Sequence, residues 1–414
     1  MKFPKGFQWG TATAAHQVEG GNLNSDYWLM ERLPVTPFTE RSGDTCDQYH
    51  RYIEDCALLA GLGFNAYRFS IEWARIEPEE GEFSGAAIEH YRRVLNACHE
   101  HGLAPMVTLH HFSSPRWIAA QGGFEVPETA DRFARYCERV ARDLGDVIAS
   151  ACTINELNSV PHLQYGGVMP PDEVILRLPW RIEGARRTGT TPEKFSMFPF
   201  VARSTTSENV LKAHALGVAA LKSGRGNFPV GMTIAMQEIA PIPGGEEIAK
   251  RAERESEDIF LEAARGDDFV GVQTYTRRRI GPEGPLGPEP GVEQTQMGYE
   301  FRPQALEATI RRASTIVGKV PIIVTESGIG TEDESRRRAF VEQALEGVGR
   351  CIEQGIDVRG YYYWSSMDNF EWLLGYMPKF GLIAVDRETQ LRTVKPTGEW
   401  LGRVARANST EITD

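Results

Sequence analysis

Cysteine is sparse in this sequence: six among 414 residues, dispersed as Cys46, Cys56, Cys98, Cys137, Cys152 and Cys351, with no CxxC pair and no tight Cys/His grouping. That spacing signals neither a zinc site nor a disulfide scaffold and predicts buried free thiols. No stretch reaches the roughly 18 apolar residues of a membrane span, so no membrane partner is expected. The opening MKFPKGFQWG has no apolar run long enough for a signal peptide, which predicts a cytoplasmic protein. Positive charge is in deficit as well: the formal net charge is −12, which argues against nucleic acid as a partner, since such binding rests on phosphate neutralisation by Lys and Arg. Apolar residues at 41% and charged residues at 25% leave room for a large core and exclude wholesale disorder.

What the chain does have is a regular alternation. FQWGTAT (Phe7–Thr13), NAYRFS (Asn65–Ser70), APMVTLH (Ala104–His110), SACTIN (Ser150–Asn155), PVGMTI (Pro229–Ile234), FVGVQT (Phe269–Thr274), IIVTE (Ile322–Glu326) and GYYYWS (Gly360–Ser365) read as strands. Between them lie amphipathic segments with helical spacing: Tyr52–Phe64, Ala87–Gly102, Thr129–Gly145, Ser207–Ser223, Ile248–Ala264, Pro303–Val317, Glu334–Gln354 and Pro396–Ala407. Gly63, Gly102 and Gly145 stand where helix-terminating glycines belong. Strands separated by single helices pair in parallel through right-handed crossovers. Eight such units predict an α/β fold, one (β/α)8 TIM barrel spanning 1–414 as a single domain. Long βα loops decorate its C-terminal face, the longest irregular stretches being Val160–Thr206 and Arg277–Arg302.

In such a barrel the C-terminal strand ends line the mouth of the active site. Those positions hold His16 and Gln17, Arg68, His110 and His111, Asn155 and Glu156, Gln273 and Tyr275, Glu326, and Trp364 followed by Asp368, Asn369 and Glu371. Burying so many polar groups on one side is costly unless a ligand partners them. The set contains carboxylates, amides, imidazoles and indoles, but neither a phosphate loop nor a metal cluster, so a sugar fits and no metal or cofactor is called for. Glycosidic cleavage needs two carboxyl groups flanking the bond; Glu156 and Glu326, on the fourth and seventh strands, should face each other.

The motifs themselves resemble glycoside hydrolase family 1, the β-glucosidase type. FQWGTATAAHQVEG (Phe7–Gly20), YRFSIEWARI (Tyr67–Ile76), TLHHFSSPRW (Thr108–Trp117), TINEL (Thr153–Leu157), VTESG (Val324–Gly328), WSSMDNFEW (Trp364–Trp372) and KFGLIAVD (Lys379–Asp386) carry the likeness in order along nearly the whole chain. The resemblance implies a retaining β-D-glycosidase acting on a small β-glycoside or short oligosaccharide, with glucosyl, galactosyl or fucosyl residues as the group transferred. It implies Glu326 as nucleophile and Glu156 as acid/base, with the two carboxyls about 5–5.5 Å apart. It implies that Arg68 and Tyr275 contact the nucleophile and favour its ionised form, that Gln17, His111, Asn155 and Glu371 bind hydroxyls, and that Trp364 and Trp372 surround the sugar. A carboxylate at Glu371 would repel a phosphate at O6, against a 6-phospho-β-glycosidase. A transglycosylase using the same intermediate and a non-hydrolytic sugar-binding barrel are the other readings; the latter would be marked by loss of either carboxylate. The oligomeric state is not legible.

The sequence departs from the family pattern at Leu157 for proline, Phe112 for tryptophan, Ser327 for asparagine and Gln273-Thr274 for Asn-Tyr. His110 reads as packing. The basic runs Arg181–Arg187 and Arg277–Arg279 read as solvated loop charge, with a rim for an acidic leaving group as the alternative.

Overall fold

The computed structural model describes residues 1–202 and 205–412. Eight parallel strands close into a barrel: β1 (Gln8–Ala12), β2 (Ala66–Ser70), β3 (Ala104–His110), β4 (Ser150–Ile154), β5 (Val230–Ala235), β6 (Phe269–Gln273), β7 (Ile322–Ser327) and β8 (Val358–Trp364). Each pairs with its sequence neighbours, and β1 closes on β8 with Gln8 opposite Gly360 and Ala12 opposite Trp364. The fold is the (β/α)8 barrel anticipated from the alternation. Strands covered by helices on the outside and packed side chains within are buried on both faces, hence their unbroken apolar runs; β2, β4, β5, β6 and β7 are buried at every position.

The helices form where their apolar spacing places them. Helix Gln48–Leu62 starts a turn earlier than the periodicity indicates, and Gly63 ends it at φ 114°, left-handed and pressed so close to the Gly402 carbonyl that no Cβ would fit. Gly145 is different. Its φ is −60°, so it is no left-handed cap; a side chain there would overlap the Arg225 carbonyl. The segment expected as one helix over Ile248–Ala264 runs as α-helix Glu246–Glu253, a π turn over Arg254–Asp258 and α-helix Ile259–Ala263.

Two stretches anticipated as irregular are more ordered than their composition suggests. Val160–Thr206, of which residues 203 and 204 lie outside the described residues, contains helices Asp172–Ile175 and Pro179–Arg187 and most of Ser159–Tyr165. Arg277–Arg302 contains strands Arg277–Gly281 and Gly284–Leu286, which join Glu238–Pro241 in a small three-stranded sheet over the barrel mouth. Arg181 is also not solvated: it is fully buried, 3.1 Å from Glu125 and bonded to the Pro192 carbonyl. All six cysteines are free and buried. Among the described residues no helix is long and apolar enough to cross a membrane.

Candidate active site

A cleft of about 400 Å³ opens at the C-terminal end of the barrel, and its floor is lined by His111, Asn155, Glu156, Gln273, Tyr275, Glu326, Trp364, Glu371 and Trp372. Of the polar strand ends read from the sequence, His111, Asn155, Glu156, Gln273, Tyr275, Glu326, Trp364 and Glu371 therefore converge on one cavity.

Glu326, second to last in β7, is only 4% exposed, and both its oxygens are held. Arg68 Nη1 donates to Oε1 at 2.6 Å, Gln273 Nε2 donates to the same oxygen at 2.9 Å, and the Tyr275 hydroxyl donates to Oε2 at 2.6 Å. Arg68 is itself fully buried and fans across the barrel, from Thr108 Oγ1 on β3 to Asn155 Oδ1 beyond β4 and the Thr325 carbonyl on β7. Burial lifts the Glu326 carboxyl above its usual range while Arg68 and Tyr275 draw it back down. The expected effect of the cation and the phenol is thus present in sign, though burial outweighs it.

Glu156 sits in a tight turn after β4 with φ 44°, the left-handed region that side chains other than glycine seldom adopt. The turn is pinned from both sides. The Glu156 N–H donates to Thr233 Oγ1 at 2.9 Å, its carbonyl accepts from Ser159 N and Oγ, and Asn158 clasps both backbone groups of Ala235 and the Ser256 carbonyl within the π turn. Phe112 (φ 67°) and Trp372 (φ 48°) are left-handed as well. Three such residues around one cleft represent on the order of 1–3 kcal/mol of strain each, held in place by packing.

Glu156 keeps some opening to the cleft, yet desolvation, together with the charge of Glu326, pushes its carboxyl up to about 8. Arg68 pulls in the other direction. Among the described residues no hydrogen bond joins Glu156 to a cation comparable to the Arg68 bond on Glu326, and the two acids are consequently unlike in environment: one held by a guanidinium and a phenol, the other poised to keep its proton.

Glu371 is also pushed up to about 8, by burial and by Glu326, with Gln17 and Trp364 partly offsetting this through hydrogen bonds. A carboxyl raised in this way is less charged than a free one, so its repulsion of a phosphate is weaker than the sequence suggests.

The remaining amides and rings line the same space or adjoin it, Gln17 through a 3.3 Å bond to Glu371. Gln17 donates to Phe370 O at 2.8 Å and Asn369 Oδ1 at 3.1 Å, leaving its Oε1 buried and unbonded. The Asn155 Nδ2, the His111 Nδ1 and the Gln273 Oε1 are likewise buried without partners among the described residues. Such atoms are costly unless something hydrogen-bonds to them. His111, held neutral by burial, stacks between Trp364 (5.6 Å, 28°) and Trp372 (6.1 Å, 24°).

Other expected mouth residues lie behind the wall. His16 bonds Glu31 at 2.7 Å and stacks on the far side of Trp372 at 5.8 Å; Asp368 pairs with Lys395 at 2.8 Å; His110 bonds Ser114 at 2.9 Å. Gln273, expected at the mouth and also a departure from the family pattern, donates to both Glu326 and Asn155 at 2.9 Å. The outer cleft adds Leu163, Val168, Phe200, Met236, Met297 and Tyr299, from segments whose lack of periodicity hides their meeting.

If buried carboxyls titrate high, they penalise the fold as they ionise. Their contribution is fully favourable below the usual value near 4.5 and is lost as pH rises through about 8. The wild-type melting temperature should fall across that window, and Glu371→Gln should flatten the fall in differential scanning calorimetry. An identical pH dependence in the variant would contradict the placement of Glu371.

The model of glycosyl hydrolase family 1 matches residues 1–280 and 270–410. A bifunctional β-D-glucosidase/β-D-fucosidase from Bifidobacterium breve is 30% identical over 475 aligned positions, covering 97% of this chain and 98% of the relative. The thermostable β-glucosidase B of Thermobispora bispora is 32% identical, covering 99% and 91%. The crystal structure of β-glycosidase BGL167 superposes with a TM-score of 0.96 at 51% identity, covering 100% of this chain and 99% of that one. With the family model matched along nearly its whole length and its strand-end acids gathered in one cleft, the chain belongs to glycosyl hydrolase family 1.

Proposed function

We propose that this protein is a retaining β-D-glycosidase, chiefly a β-glucosidase, and that residues 1–414 act as one catalytic unit without a cofactor. The observation that carries the reading is the pair of unlike acids, Glu326 held by Arg68 and Tyr275, and Glu156 pushed up to about 8, lining a single cleft. The printed activities of its relatives, a glucosidase/fucosidase and a glucosidase, point the same way.

In this reading the substrate's terminal sugar lies against Trp364 and His111, with its hydroxyls bonded to Gln17, Asn155, His111 and Glu371. Trp372 closes the ring of indoles. Glu326 attacks the anomeric carbon as Glu156 passes its proton to the departing oxygen. The negative charge leaving Glu326 on forming the ester lowers the cost of ionised Glu156, which then takes a proton from water as that water attacks. Two inversions at one carbon give net retention. A non-hydrolytic sugar-binding barrel would not need both acids, and both are present. The six free thiols suit a reducing compartment, which supports a cytoplasmic site of action.

Following 4-nitrophenyl β-D-glucoside cleavage by proton NMR tests this directly: β-glucose should appear first and mutarotate slowly. Initial release of α-glucose, or none, would refute it. A panel of nitrophenyl β-glucoside, β-galactoside and β-fucoside then ranks the sugars, with glucoside or fucoside expected to lead.

A further inference from the structure

The basic run Arg277–Arg279 divides sharply. Arg277 pairs with Glu300 at 2.5 Å and Glu289 at 2.8 Å, and Arg279 bonds only the Gly287 carbonyl, at 3.3 Å, near the surface. Arg278 points to the opposite face of its strand and is 8% exposed. Among the described residues its guanidinium has no hydrogen bond and no ion-pair partner. The nearest opposing charge, Glu257, is engaged by Arg312 at 3.0 Å and by the Gln237 N–H at 3.2 Å. A buried cation without a partner is costly, and structures rarely retain one without use.

Arg278 stands directly behind the outer cleft. It acts electrostatically on His162 and Tyr299, both of which line the cavity, and Gly166 leaves the room its Nη2 occupies. In front of it, three polar side chains are idle. The His162 Nδ1 and Gln237 Oε1 are buried and unbonded, and the Tyr299 hydroxyl makes no hydrogen bond among the described residues. The neutral imidazole and the phenol can each present a hydrogen-bond donor, whereas the free Gln237 oxygen accepts. Around them the wall is apolar: Leu163, Val168, Phe200, Met236 and Met297. Two donors backed by a cation and set in an apolar wall fit one kind of ligand group.

Resting on the glycosidase reading, we propose that Arg278 makes the outer cleft a subsite for a leaving group with an apolar, aromatic-sized body and a carboxylate. The carboxylate would accept from His162 and Tyr299 and be drawn in by the guanidinium behind them, with the Gln237 oxygen left to accept from a donor elsewhere on the leaving group. Glu156 does not oppose this, because it carries its proton while the leaving group is bound.

The test compares 4-carboxyphenyl β-D-glucoside with the neutral 4-carbamoylphenyl β-D-glucoside on the wild type, Arg278→Gln, Arg278→Lys and Arg277→Gln. Dividing the two substrates' kcat/KM, and then dividing wild type by variant, cancels the intrinsic difference between the leaving groups. The carboxylate preference should drop roughly tenfold in Arg278→Gln, mainly through KM, stay largely intact in Arg278→Lys and be unchanged in Arg277→Gln. A ratio that does not move in Arg278→Gln overturns the proposal. Should Arg278→Gln not fold, inhibition of the wild type by 4-hydroxybenzoate and 4-hydroxybenzamide decides. A roughly tenfold lower inhibition constant for the benzoate supports the subsite, and equal constants overturn it. Hydrolysis of the neutral amide glucoside reports the parent reaction by itself, so failure of the glycosidase reading and failure of the carboxylate subsite are separate results.

Discussion

Glu326→Gly should lower kcat on 4-nitrophenyl β-D-glucoside by roughly 10⁴-fold or more, because removing a nucleophile removes the covalent route altogether. The vacated space lies beside Arg68 and Tyr275, which keep their donors pointed at it. Azide fits there as a small anion. It should restore turnover by attacking the anomeric carbon from the nucleophile's side, with α-glucosyl azide as the product. The same substitution strands a fully buried guanidinium, and breaking such a pair typically costs about 3–5 kcal/mol. The variant should therefore melt earlier, and azide should recover part of the loss by supplying the missing negative charge. Undiminished turnover without azide, or a β-configured azide product, would remove Glu326 from the role given to it.

Glu156→Ala should produce the complementary pattern. Proton donation contributes about 10²–10⁴-fold, and it matters most where the departing oxygen is a poor leaving group. Cellobiose hydrolysis should fall by that factor, while attack on a dinitrophenyl glucoside, which needs no proton, should proceed near the wild-type rate and leave the ester to accumulate. A burst of dinitrophenol followed by slow turnover is the expected trace. Azide then accelerates the second step and yields β-glucosyl azide, the anomer opposite to that from Glu326→Gly. The pH profile supplies an independent reading. With Glu156 pushed up to about 8, wild-type kcat/KM should decline above that value as the acid ionises and fall again in the acid range as Glu326 takes up a proton. Glu156→Ala should lose that basic limb. A limb that persists in the variant would assign the ionisation to another group, with Glu371, also at about 8, the first to examine.

Much of this architecture is legible in the sequence, and for an identifiable reason. Strands buried on both faces read as apolar runs that end where polarity begins, so all eight barrel strands lie within about two residues of their expected limits. The strand-end rule then locates Glu156, Glu326, Arg68, Asn155 and Trp364 without any knowledge of contacts. What escapes is whatever depends on distant partners. Arg181 reads as surface charge because Glu125 lies 56 residues away, and Arg278 because the segments that cover it carry no period. The sheet formed by Glu238–Pro241, Arg277–Gly281 and Gly284–Leu286 is hidden by glycines and prolines, which signal turns whether or not short strands lie between them. His16 fails in the other direction: its place after β1 matches the rule, but Glu31 and Trp372 hold it behind the cavity wall.

The span of the Arg68 network bears on how the chain is made. Its guanidinium joins Asn155, 87 residues downstream, to Glu326, 258 residues downstream. A nascent polypeptide leaving the ribosome acquires the first partner early and the second only after three quarters of the barrel has emerged. Closure is thus a late, non-local event, the kind that slows folding. Until then the interior cation has only its nearer partner, and burying it without Glu326 is costly.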